Sequence, residues 1–179
     1  MRIIFICFLI IYGCKNNDSK HVNSYRTSKS QVILEKSNQS SEQPFTWDAP
    51  SDWIPTNNSE FSKGTYLIPS SKGSSVLSIS YFSGDAGGIT ANVNRWRNQL
   101  DLPSLDVEKI KAMAEIFTSK IGEYQVYTII NPENPEALLC SIIPTNNYTI
   151  FIKLKTYPDT INDFKEQFIE FCSSFNYNE

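Results

Sequence analysis

A glycine-rich loop and the segment that follows it contain the residues best suited to bind a ligand. The loop spans residues 83–88 and ends in Gly87 and Gly88, and Arg95 and Arg97 come within the next two helical turns. A helix that begins at such a loop presents unpaired N–H groups and a partial positive charge. The pattern predicts an anion site, although it lacks the spacing of a P-loop or a dinucleotide fingerprint.

The same stretch also supports a structural interpretation, which we favour. Gly87 and Gly88 allow a tight turn from strand to helix. Asn92, Arg95 and Gln99 form a polar stripe that can hydrogen-bond neighbouring backbone and hold the helix on a sheet. On this interpretation Arg95→Ala lowers the melting temperature strongly, whereas a binding role predicts little change.

The sequence nominates no catalytic residues. The one histidine, His21, lies upstream of the predicted domain, so Ser-His and Cys-His nucleophile pairs are not available within it. GxSxG and HExxH motifs are absent. A hydrolase built on two carboxylates remains the enzymatic alternative.

Metal and cofactor sites are not indicated either. Four carboxylates near the predicted helix starts lack the spacing of a calcium loop and are typical of caps and dipole partners. They are Asp85, Asp101, Asp106 and Glu108. We therefore predict no metal and no cofactor.

The first residues resemble a bacterial lipoprotein signal. Arg2 precedes an apolar run over residues 3–11, about half the length of a membrane-spanning helix. Residues 11–14 resemble a lipobox, in which the cysteine thiol receives a diacylglyceryl group before cleavage. We predict a signal peptide over residues 1–13 and a lipid on Cys14 that anchors the protein to a membrane of the cell envelope. The residue after Cys14 is not the Asp that retains some lipoproteins in the inner membrane, which favours the outer membrane.

Composition divides the rest of the chain in two. Residues 14–43 are rich in Asn, Ser, Lys and Gln and cannot bury enough apolar surface to become ordered, so we predict a flexible tether. Residues 44–179 are enough for a single domain with one hydrophobic core. The formal net charge is −3, and the charges are interspersed without a basic stripe. We therefore predict no nucleic-acid partner.

Cys140 and Cys172 are the cysteines of the predicted domain. After export to an oxidising compartment they could form a disulfide between a late strand and the last helix. Two unpaired core thiols are the alternative, because cysteine packs as a small hydrophobe. No CxxC motif is present, which argues against thiol-disulfide exchange and a zinc knuckle.

Hydrophobic periodicity predicts an α+β fold. Strands are predicted over residues 61–68, 76–82, 116–119, 124–130, 137–143 and 148–156. Helices are predicted over residues 89–100, from Ser104 or Asp106 to about Ala114, and from Asp159 or Thr160 onward. The short connections favour antiparallel neighbours, and the apolar stripes of the helices must pack on the sheet. We predict an antiparallel sheet covered by helices.

One stretch resembles a family of small bacterial envelope proteins that has no assigned biochemical role. Its members carry Gly-Gly and then Asn-Val-Asn-Arg-Trp-Arg-x-Gln after a strand. The match is carried by Gly87, Gly88, Asn92, Asn94, Arg95, Trp96, Arg97 and Gln99.

The resemblance extends over most of residues 45–175. Trp47, Pro50 and Trp53 match an upstream Trp-Pro-Trp hairpin, and the last helix matches a Phe-rich one. It implies an α/β/α sandwich like that of the photosystem II subunit PsbP and the Ran-binding protein Mog1, and a place in the cell envelope.

Three functions follow as hypotheses. The first is a non-catalytic binding or assembly module that engages another envelope protein, marked by an exposed apolar patch. The second is a small-molecule or anion-binding lipoprotein that uses the Gly-rich loop and helix 89–100, marked by a concave site into which Arg95 or Arg97 points. The third is an unrecognised hydrolase, which needs a cleft with a close carboxylate pair.

Overall fold

The computed structural model describes residues 43–57 and 59–178, and its main element is an antiparallel sheet. The strands are β1 (Phe45–Thr46), β2 (Ile54–Pro55), β3 (Gly64–Ser70), β4 (Gly73–Ser83), β5 (Glu115–Ser119), β6 (Gly122–Ile130), β7 (Ala137–Pro144), β8 (Tyr148–Thr156) and β9 (Asn176–Tyr177). The helices are α1 (Ile89–Gln99), α2 (Val107–Met113) and α3 (Ile161–Ser173). Within the described residues, seven strands form the main sheet in the order β2-β3-β4-β8-β7-β6-β5, and β1 pairs separately with β9.

Helices cover both faces of this sheet. Side chains alternate along β7, so that Leu139 packs in the core below α3 while Leu138 packs in the core below α1 and α2. Phe164, Phe168 and Phe171 of α3 are spaced i, i+4 and i+7, which places them on one buried stripe. The predicted α+β fold, an antiparallel sheet covered by helices, is confirmed.

The helix starts show which predicted caps form. Asp106 caps α2, because its Oδ1 accepts the backbone N–H of Lys109 at 2.9 Å. That hydrogen bond holds the pKa of the Asp106 carboxyl below its ordinary value. Thr160 precedes α3 but does not cap it, since its hydroxyl lies against Thr156 at 3.0 Å instead.

The Trp-Pro-Trp segment is not a β-hairpin. A turn is present, closed by the Trp53 N–H on the Pro50 carbonyl at 3.1 Å. The strands on its two sides have different partners, however: β1 pairs with β9 and β2 pairs with β3. Trp53 packs on Phe171 with 4.8 Å between ring centroids. Trp53 is thus part of the core below α3 and does not join two strands of a hairpin.

The two domain cysteines are free and buried. Cys140 lies in the core below α1 and α2, whereas Cys172 lies in the core below α3. The sheet stands between the two thiols, so the disulfide alternative is not realised. Burial raises the pKa of both thiols well above the ordinary value.

The helices cover the sheet unevenly on the α1 side. Ile54, Leu67 and Val76 form one cross-strand row that continues through β8 to the fully buried Leu138. Ile54 is 54 % exposed, and Leu67 and Val76 are half-buried. The part of this face that β2, β3 and β4 form is therefore not fully covered by a helix.

The N-terminal predictions concern residues that the structure does not describe. Residues 1–42 include the predicted signal peptide, Cys14 and nearly all of the predicted tether. In the described part of the chain, none of the helices has the length and apolar character needed to cross a membrane.

Candidate binding groove

Hydrogen bonds within the glycine-rich loop occupy the N–H groups of Gly87 and Gly88. Gly87 and Gly88 have φ angles of +86° and +78°, a region that strongly favours glycine. The Gly87 N–H donates to Asp85 Oδ1 at 3.2 Å, and the Gly88 N–H donates to the Asp85 carbonyl at 2.9 Å. The Asp85 carboxylate thus supplies negative charge where the predicted anion would lie.

Asn92 ties the loop to α1. This side chain is 2 % exposed, and its Nδ2 donates to the carbonyls of Ala86 and Gly88 at 3.0 and 2.7 Å. Its Oδ1 accepts from Arg95 at 2.9 Å. Every polar atom of the Asn92 amide is therefore used inside the protein.

Asn94 and Arg97 hold the connection between α1 and α2. Asn94 exchanges two hydrogen bonds with the backbone of Leu105, at 2.9 and 2.8 Å. Arg97 is buried, and its Nε donates to the Pro103 carbonyl at 3.0 Å. Arg97 does not line the groove described next, so of the two arginines only Arg95 has the predicted orientation.

A groove of about 340 Å³ lies between α1, β4, β8 and the loop before β3, and we call it the α1 groove. Arg95, Trp96 and Gln99 of α1 form its wall, while Ser78 and Ser80 of β4 lie in its floor with Phe151 and Lys153 of β8. Phe61 and Phe82 lie at the open side. The structure therefore brings together Asn92, Arg95, Trp96 and Gln99 of the sequence motif, and leaves Asn94 and Arg97 outside.

The lining of the α1 groove is cationic. It contains Arg95 and Lys153 and no Asp or Glu. Arg95 donates to the Asn92 amide, and Lys153 Nζ donates to Gln99 Oε1 at 3.2 Å. Among residues 43–57 and 59–178, neither cation has a carboxylate partner. Both charges are thus bonded to neutral amides only.

The open side of the α1 groove is apolar. Phe61 is 65 % exposed and Phe82 is 43 % exposed. Phe82 lies 6.1 Å from Phe151 between ring centroids, and Trp96 lies 6.0 Å from Phe151. A second cavity of about 320 Å³ shares Asn92 and Phe151 with the groove, so the two adjoin.

Comparison with known proteins supports the architecture. Neither a protein-family model nor a curated protein matches this chain. Among solved structures it is similar to cyanobacterial PsbP (CyanoP) from Synechocystis, with a TM-score of 0.50 and 15 % identity, covering 75 % of this chain and 87 % of that one. The fold is PsbP-like. Another similar structure is LpqN, described as involved in cell envelope biogenesis of Mycobacterium tuberculosis, with a TM-score of 0.46, 11 % identity and coverage of 75 % and 83 %.

The lining of the α1 groove lacks the groups that activate a serine nucleophile in the known pairs. Its lining has serine hydroxyls but no carboxylate, thiol or imidazole to activate them. The Lys153 ammonium is bonded to Gln99 rather than to a serine. Within the described residues, no group of three or more His, Cys, Asp or Glu side chains could hold a metal ion.

Four residues that line the α1 groove were not predicted from the sequence, namely Phe61, Ser80, Phe82 and Lys153. A signal was present in the strand that contains Lys153, because its two lysines alternate with apolar residues and so share one face. Ser78, Ser80 and Phe82 alternate in the same way along β4. The sequence does not show that β4 pairs with β8, and it is this pairing that brings the two faces side by side.

Proposed function

We propose that this protein is a non-catalytic binding or assembly module of the bacterial cell envelope, anchored by a lipid on Cys14, and that it engages another envelope protein through the α1 groove. The observation that carries the proposal is the groove itself, in which exposed Phe61 and Phe82 lie beside two cations without carboxylate partners. Exposed apolar surface next to polar side chains marks interaction sites. The PsbP-like fold is compatible with this role but does not specify it.

The lipid anchor is tested by labelling. Cells that express the full chain are grown with radiolabelled palmitate, and the protein is compared with a Cys14→Ser variant. We expect label in the first and none in the second. Absence of label from the wild-type chain would refute lipid anchoring, and density separation of the two membranes distinguishes inner from outer.

The partner is tested by crosslinking the full-length protein in its native envelope and purifying it. We expect one stoichiometric protein partner that is lost with Phe82→Ser. Ile116→Ser is the matched control, because Ile116 is also an exposed apolar residue of a strand, at 51 % exposure, and does not line the groove. Equal loss with both variants, or no loss with either, would show that the partner binds elsewhere.

A small anionic ligand in the same groove is the second candidate function. A volume of about 340 Å³ lies at the lower end of the range for small-molecule sites, roughly 300–1,000 Å³. If crosslinking captures no partner from a well-folded protein, binding of small carboxylates to the wild-type chain becomes the next measurement.

A further inference from the structure

Arg95 and Lys153 both line the α1 groove. Arg95 donates to Asn92, and Lys153 Nζ donates to Gln99, which is one turn from Arg95 on α1. The lining of one groove therefore contains two like charges, and a bound anion offsets their repulsion.

The absence of a carboxylate beside Lys153 is specific to that position. Lys155 lies two residues further along β8, on the same face, and forms an ion pair with Glu136 at 2.7 Å. Lys153 has no such partner in the described part of the chain. The chain as a whole carries a net charge of −3, so a cationic groove without acidic residues is not a reflection of its overall composition.

The floor of the groove adds a hydrogen-bond donor. The Ser80 hydroxyl makes no hydrogen bond to any residue that the structure describes. Ser78 is only weakly engaged, since its hydroxyl lies 3.4 Å from the Lys153 carbonyl. Ser80, Arg95 and Lys153 are therefore three donors in the lining of one groove, and a carboxylate accepts such donors.

The apolar side chains around this donor set indicate what carries the carboxylate. A free inorganic anion makes no use of the exposed rings of Phe61 and Phe82. The adjoining cavity is lined in part by Ile89, Ile142 and Pro144, which suit a second apolar side chain. A peptide in which an acidic residue has an aromatic or aliphatic neighbour can bind the donor set and also contact the apolar side chains.

We propose that the α1 groove binds an acidic peptide segment of a protein partner, with one carboxylate between Arg95 and Lys153 and a neighbouring large apolar side chain against Phe82. This inference rests on the proposed function and deepens it by naming the chemistry of the partner.

The test is a selection of displayed random dodecamer peptides on the immobilised full-length chain in nonionic detergent. We expect the enriched peptides to pair Asp or Glu with an aromatic or aliphatic residue. By fluorescence anisotropy, we expect Lys153→Gln together with Arg95→Gln to weaken their binding about tenfold, since two partly exposed charged hydrogen bonds are lost. Lys109→Gln with Lys111→Gln changes the net charge equally on an exposed helix away from the groove and should leave binding unchanged.

Folding effects are separated by the single variant Lys153→Gln. Arg95 also bonds Asn92, whereas Lys153→Gln leaves that bond in place, so it must weaken binding while the urea midpoint stays constant. Replacing the acidic residue of a selected peptide by its amide should cause a similar loss. No enrichment, enrichment without acidic residues, undiminished binding by the double variant, or displacement by low millimolar inorganic phosphate would each overturn the inference. A crosslinked partner that still depends on Phe82 would leave the proposed function standing in that case.

Discussion

The replacement of Asn92 by alanine tests how the glycine-rich loop is held. The wild-type amide makes two hydrogen bonds to the carbonyls of Ala86 and Gly88 and accepts one from Arg95. A neutral hydrogen bond contributes about 1 kcal/mol net, and the substitution removes two. The Gly88 carbonyl keeps the backbone N–H of residue 92, so it is not left without a donor. The Arg95 bond adds little, because that side chain is exposed. We expect Asn92→Ala to lower the free energy of unfolding by about 2 kcal/mol.

Urea denaturation of the full chain measures this loss. With a slope of about 2 kcal/mol/M, the midpoint should fall by roughly 1 M. Asn98→Ala is the matched control, because Asn98 lies on the same helix with an exposed side chain, and its midpoint should be nearly unchanged. A loss below about 0.5 kcal/mol for Asn92→Ala would be no larger than that of an ordinary surface substitution. That result would refute the argument that these hydrogen bonds hold the loop on α1.

Three further predictions concern the turn, the cap and the thiols. Gly73→Ala should destabilise the protein by about 1–3 kcal/mol in urea, because φ is +128° and the new Cβ would lie 3.3 Å from the Tyr157 hydroxyl; an unchanged midpoint would contradict this. Asp106→Ala should be less stable than wild type at pH 7, and the difference should shrink as the pH falls, because the lowered pKa of the folded carboxyl gives stability above the unfolded pKa that is lost as the pH falls through the folded pKa; a constant difference would argue against the cap. Cys140 and Cys172 should be alkylated, by mass-spectrometric mapping, only as fast as the protein unfolds; rapid labelling of either would show an open core.

The residues of the Asn-Arg-Trp-Arg stretch and its flanks lie in two different environments. Asn92 and Arg97 are buried and bonded to backbone carbonyls of the segments before and after α1. Arg95 and Gln99 are exposed on the groove side, where their partners are side chains rather than backbone. The hydrogen bonds therefore support a structural role for Asn92 and Arg97, while the proposed binding role concerns Arg95 and Gln99. Arg95→Ala is consequently a weaker test of the structural role than Asn92→Ala.

Most elements of the fold follow from local pattern. The strand over residues 148–156 has the predicted bounds, and helix 89–100 ends one residue earlier than predicted. Periodicity suffices because each segment must bury one face, whatever it packs against. Local pattern did not predict the partners of β1 and β2, because pairing between β1 and β9 joins residues far apart in the chain.

The set of elements, the antiparallel α+β class and the residue types follow from the sequence, because they depend on side-chain period and turn residues. Which of those residues lie next to one another depends on the folded arrangement. The order β3-β4-β8 places Ser78 beside Lys153, and the position of α1 leaves that pair half-buried in the lining of the α1 groove. It also placed Cys140 and Cys172 on opposite faces of the sheet. These outcomes depend on strand order and on how far a helix extends across a sheet, and neither is encoded in the spacing of neighbouring residues.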